Sequence, residues 1–274
     1  MRYVLVSIIA ALMTAAATPA SSHTRDRSRE AVSIEMVSDS GRTYQAIPHR
    51  DFRKQGTHVI KQYLEARKGE NYGIIIRNRT PGRIGVVIAV DGRNIISGKK
   101  SHLRNSEAMY VVNGYGSGRY NGWRTANDRI HKFYFTDIGD SYAKKTFKDT
   151  SAMGVIAVTV YREKERPRPL HRHQNKKSAP AAPAPSTESA GKGAAGRLQD
   201  ETAGTGFGDK QYSPSIRVAF EPERRPIQKT LVKYEWRKVL CSKGILQCPT
   251  VLGNRLWDEG DYAPFPPGYP RNER

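Results

Sequence analysis

Asp137 and Asp140, in FTDIGDSYA, are the nearest this chain comes to a paired-carboxylate motif, and His131 stands a short way before them. Two carboxylates on one loop can divide general-acid and general-base roles, or bind Ca2+ through oxygen ligands. A structural reading of the same residues is preferred. Asp137 closes a strand in an Asx-type turn, and Asp140 caps a short helical turn starting at Ser141, both common tasks for aspartate. His131 can pair with a carboxylate, but no Ser or Cys nucleophile is placed with it. Asp137, Asp140 and His131 therefore support a secreted carbohydrate-active or hydrolytic enzyme only if the fold brings them into one pocket.

The segment GYGSGRYNGWR interleaves Tyr115, Tyr120 and Trp123 with Arg119 and Arg124. On a binding surface, aromatic faces stack on rings while Arg makes bidentate contacts to carboxylate or phosphate. The competing reading puts Tyr120 and Trp123 in the core, with the glycines shaping a loop. The glycines at 114, 116, 118 and 122 precede no helix, so this is not a dinucleotide loop. Tyr115 stands where a nucleophile elbow needs its first glycine.

A second charged stretch, REKERPRPLHRHQNKK, carries Arg162, Lys164, Arg166, Arg168, Arg172, Lys176 and Lys177 against Glu163 and Glu165. A basic arm of this kind clamps a polyanion or simply keeps a linker soluble. Within it, His171 and His173 have the donors for a transition metal, but in a charge run they read as solvated side chains. No cofactor or metal is expected. Cys241 and Cys248 lack a nearby His or further Cys for a closed zinc site, and one short disulfide ring is the expectation for an exported chain.

Charge sets the class of partner. Lys and Arg total 46 against 26 Asp and Glu, a formal net charge of +20. So broad a positive potential suits an anionic polysaccharide, lipopolysaccharide or other envelope polyanion, extracellular nucleic acid, or a protein partner. Residues 1–22 join Arg2, an apolar stretch and the small residues Thr18 to Ser22, the layout of a secretory signal peptide. The apolar part is short for a membrane anchor, and no Cys stands nearby to accept a lipid. Export to the periplasm or the exterior is expected, with no transmembrane segment left after cleavage.

The elements that must position these residues are mostly strands. The densest apolar run is YGIIIRNRTPGRIGVVIAVDGRNIISG, from Tyr72 to Gly98. Its period-two pattern reads as two strands joined through Pro81-Gly82 in a central hairpin, followed by an Asp91-Gly92 tight turn. Val32 to Val37 with Thr43 to Ile47 reads as a first hairpin, and His58 to Ala66 as a strand turning at Lys68 to Asn71 into the central run. Further strands are expected at Met109–Val112, Arg119–Arg124, His131–Asp137 and Val155–Tyr161.

Many short strands with almost no helical periodicity predict an all-β fold: an antiparallel, jelly-roll-like β-sandwich over residues 31–162. Residues 163–210 read as a long disordered linker, basic and then rich in Ala, Pro, Ser and Gly. Residues 211–252 read as a small α+β module. Its strands begin near Ser215 and at Gln228, its helix runs from about Glu235 to Lys243, and its two strands could extend a sheet edge, with docking on the sandwich left open. Residues 253–274 form a Pro-rich tail.

The stretches VVIAVDGRNIISGKK, GWR, FYFTDIGDSYAKKT and GVIAVTVY resemble an uncharacterised family of exported bacterial proteins. KYEWRKVL, residues 233–240, is similar to a recurring C-terminal segment of the same proteins. The resemblance implies export and the two-part layout, and no catalytic or ligand residues. Composition and motifs together favour an exported, non-enzymatic binding or envelope-associated protein over the hydrolytic enzyme, or over a structural or adhesin-like subunit assembling through sheet edges.

Overall fold

Alternating β-branched and aromatic residues are realised as fourteen strands among the described residues, 30–165 and 202–248 of a computed structural model. They are β1 (Val32–Ser38), β2 (Ala46–Lys54), β3 (Thr57–Ala66), β4 (Asn71–Asn78), β5 (Ile84–Val90), β6 (Arg93–Asn94) and β7 (Tyr110–Val112). The series continues with β8 (Ser117–Tyr120), β9 (Gly122–Ala126), β10 (Arg129–Asp137), β11 (Val155–Arg162), β12 (Ala203–Thr205), β13 (Lys210–Tyr212) and β14 (Gln228–Trp236). A 3-10 turn (Ile138–Asp140) and two short helices, α1 (Tyr142–Phe147) and α2 (Arg237–Ser242), complete the order. The chain divides at Glu30, and every named element belongs to the unit that begins at Ala31. No helix among the described residues is long and apolar enough to cross a membrane.

The strands make two seven-stranded sheets, a mostly β, sandwich-like architecture. One runs β1-β4-β10-β12, with β8 on β4 and with β9 and β13 on β10; the other runs β2-β3-β14-β11-β5-β6, with β7 on β5. A single main core lies between them. At its centre Tyr72 stacks on Phe135 at 4.3 Å and on Phe133 at 5.3 Å, while Tyr44 meets Phe135 edge-on. All seven residues of β5 are buried, as expected from apolar side chains on both faces. Met109 and Phe220 cover its outer side so closely that position 85 has no room for a Cβ, and Gly stands there.

Strand identity follows the sequence pattern better than strand pairing does. Tyr72–Asn78 and Ile84–Val90 do not form a hairpin: β4 belongs to the first sheet and β5 to the second, so the Pro81-Gly82 segment carries the chain across the sandwich. The first expected hairpin closes only as an isolated bridge between Val37 and Thr43. β2 then extends to Lys54 in the other sheet, paired with β3 through a Gln55-Gly56 turn at φ of 49° and 82°. The Arg119–Arg124 strand is two strands, β8 on β4 and β9 on β10.

The C-terminal part also departs from expectation. Ala203–Thr205, inside the stretch read as linker, is buried as β12 against β10. β14 occupies no edge: it lies between β3 and β11, parallel to the former and antiparallel to the latter. The strand expected near Ser215 forms no ladder, and Ile216 and Val218 are exposed. α2 starts two residues later than expected, with Gly244 at positive φ just beyond it. Arg166, Arg168, His171, Arg172, His173, Lys176 and Lys177, the signal segment and the Pro-rich tail lie outside the described residues.

Candidate functional site

The carboxylates singled out by sequence are each held by a lysine. Asp137 pairs with Lys68, and Asp140 with Lys145 at 2.8 Å, which lowers the Asp140 pKa. Ser141, not Asp140, caps α1, its Oγ accepting from the Lys144 amide at 3.3 Å. His131 lies toward the other end of β10 from Asp137, about 20 Å away at the rise of a strand. Its Nδ1 donates to the Gly208 carbonyl at 2.9 Å and its ring stacks on Phe207. These three side chains do not converge.

The aromatic loop does not assemble a stacking platform either. Trp123 is 2% exposed, donates its indole N–H to the Gly206 carbonyl at 3.0 Å and meets Phe133 edge-on, so it is a core residue. Tyr120 is half-buried against Tyr110, and burial raises its pKa. Arg124 is occupied by the Tyr110 hydroxyl at 2.7 Å and the Ser213 carbonyl at 2.9 Å. Arg119 donates to Asn121 at 2.9 Å and is exposed, and of the three aromatic rings Tyr115 projects into solvent, at 74% exposure. Cys241 and Cys248 are joined in a disulfide after α2.

Two further places hold concentrated polar chemistry. In the β5–β6 turn, Asp91 and Gly92 take φ of 49° and 78°, the tight turn the dipeptide implies. The Asp91 carboxylate is buried and accepts from the amides of Gly154 at 2.8 Å and Thr205 at 2.7 Å and from the Tyr234 hydroxyl at 2.5 Å. Thr205 Oγ1 lies 2.8 Å from both the Tyr234 and the Tyr72 hydroxyls, so one buried network ties β4, β12 and β14 to the turn. At the Arg-rich turn, a pocket of about 1250 Å3 is lined by Arg79, Arg83, Arg162 and Lys164. Glu163 bonds Arg83 Nε at 2.7 Å and Glu221 bonds Lys164 at 2.5 Å, so much of that charge is neutralised in place.

One group of unneutralised cations lies on the outer face of β2, β3 and β14. Ladder register places Arg50 opposite Lys61 and Phe52 opposite Val59, and sets Lys229 beside Val59 on the next strand. Lys54 follows Phe52 on the same side of β2 at period two. Like charges directly opposite in a ladder are destabilising, so nothing in folding explains Arg50 facing Lys61. The acidic residues of these strands do not relieve it. Asp51 turns to the other face and contacts His58 at 2.5 Å; Glu65 takes Arg237 at 3.0 Å, and Glu235 takes Lys243 at 2.9 Å. Arg50, Lys54, Lys61 and Lys229 have no carboxylate partner among the described residues.

Sequence reading passed over this face, although its signal is present as cation, ring, cation in R-D-F-R-K. Such a surface holds anions by charge and by hydrogen bonds donated from its guanidinium and ammonium groups. Residues 31–247 match a family described as a domain of unknown function, DUF7918. No curated protein and no solved structure matches the chain.

Proposed function

The chain belongs to the DUF7918 family, whose domain is one of unknown function, and we propose from its own surface that it is an exported, non-enzymatic binding protein for an anionic polymer. The observation that carries the proposal is Arg50 set opposite Lys61, with Lys54 and Lys229 beside them and no carboxylate among them. A cluster of cations that opposes folding is relieved where a ligand supplies the missing negative charge. The net charge of +20 adds long-range attraction, and residues 1–22 supply the export signal. An anionic polysaccharide, lipopolysaccharide or nucleic acid meets the electrostatic requirement.

Retention on immobilised heparin across a salt gradient tests the proposal. The full chain is expected to bind at low salt and elute as salt rises. The Arg50→Gln, Lys61→Gln, Lys229→Gln triple variant should elute markedly earlier, its log-affinity against log-salt slope reduced by roughly two to three. Retention unaffected by salt, or a triple variant eluting with the parent, sinks the proposal.

A further inference from the structure

Charge alone does not account for the middle of this face. Phe52, between Arg50 and Lys54, is 40% exposed, while Val59 beneath it in the ladder is buried. One row along, Tyr63 lies on the same side of β3, with the His49 ring edge-on to it at 5.2 Å. The surface thus alternates cations and aromatic rings on an exposed sheet face.

An acidic polysaccharide can lay the C–H face of a pyranose on Phe52, but its anionic groups are substituents of that same ring and do not alternate with it. In a single-stranded nucleic acid every unit joins one phosphate to one planar base, and β2 offers ring and cation in the same alternation. Base stacking on an aromatic side chain beside a basic track is the general mode of sequence-tolerant single-strand binding. Duplex keeps its base faces stacked inside and cannot use the ring.

We infer that the outer face of β2, β3 and β14 binds single-stranded nucleic acid, with a base on Phe52 and phosphates held by Arg50, Lys54, Lys61 and Lys229. The inference rests on the polyanion reading and adds to it a requirement for a base.

The test is fluorescence anisotropy of the full chain with a labelled oligothymidine, an abasic oligomer of the same length, and a labelled heparin oligosaccharide at one salt concentration. Phe52→Ala is expected to weaken oligothymidine binding about ten-fold. The same variant leaves heparin and abasic binding unchanged, and Phe52→Tyr restores the parent affinity. An unchanged oligothymidine affinity in Phe52→Ala, or an equal loss on all three probes, overturns the inference. Heparin binding without oligothymidine binding also overturns it while the polyanion reading stands, and binding to none removes both.

Discussion

Asp91 shows how one side chain serves two purposes. Its place before Gly92 is readable as a tight turn, because a short polar side chain followed by glycine tolerates positive φ at both positions. Its second role is not readable, because Thr205 and Tyr234 lie far along the chain and only the folded sandwich brings them to its carboxylate. Burial raises the Asp91 pKa from 3.8 to about 6, against the opposing pull of Tyr234, the two backbone amides and Lys233. The folded state therefore holds this proton more tightly than the unfolded chain does. That contribution to stability is complete below the unfolded pKa and is lost as pH rises through about 6, a difference of about 3 kcal/mol. The lowered carboxylates Glu70, Glu107 and Asp149 act in the opposite sense, at more acid pH. Thermal melting of the parent should thus fall between pH 5 and pH 7.5, and in Asp91→Asn this slope should vanish. A parent curve as flat as the variant's contradicts the assignment.

Strands were legible from period-two alternation; which strands pair was not. Alternation tells which face a side chain takes, and a strand with two apolar faces, such as β5, says nothing about its neighbour. That is why Tyr72–Asn78 and Ile84–Val90 read as a hairpin when they sit in opposite sheets. In the aromatic loop the core reading of Trp123 holds, because β9 turns the ring inward, while the platform reading does not. The part of β2 beyond Ile47 is not legible as a strand because Pro48 and the charges after it break the apolar alternation, although the Gln55-Gly56 turn and R-D-F-R-K are both present. A prediction belongs to this element. Lys61→Glu converts the Arg50–Lys61 opposition into an opposite-charge pair, so it should stabilise the chain by about 0.2–1 kcal/mol while weakening heparin retention. Stability and binding moving in opposite directions, read by denaturant titration and salt elution, is the expected result. A destabilised Lys61→Glu variant would mean that the two cations do not repel.

At the scale of the molecule, the division into a sandwich and a docked module gives way to an interlaced unit. β12 lies against β10, and β14 fills the space between β3 and β11, so residues beyond 202 complete both sheets. Composition does mark a boundary near Arg162, but a change in composition reports what a segment can bury, not where the chain goes afterwards. The two parts share long ladders and the Asp91 network, so the covalent connection between them is not what holds them together. A protease site introduced near residue 185 tests this. After cleavage the fragments should co-elute in native size-exclusion chromatography, separate only in denaturant, and keep the parent's retention on heparin, because β2 and β3 come from one fragment and β14 from the other. Omitting the second fragment leaves β3 and β11 as unpaired edges, the condition under which sheets aggregate. Expression of residues 1–201 alone should accordingly yield insoluble protein. Fragments that part under native conditions, or a soluble N-terminal fragment that still binds heparin like the parent, would restore the two-module description.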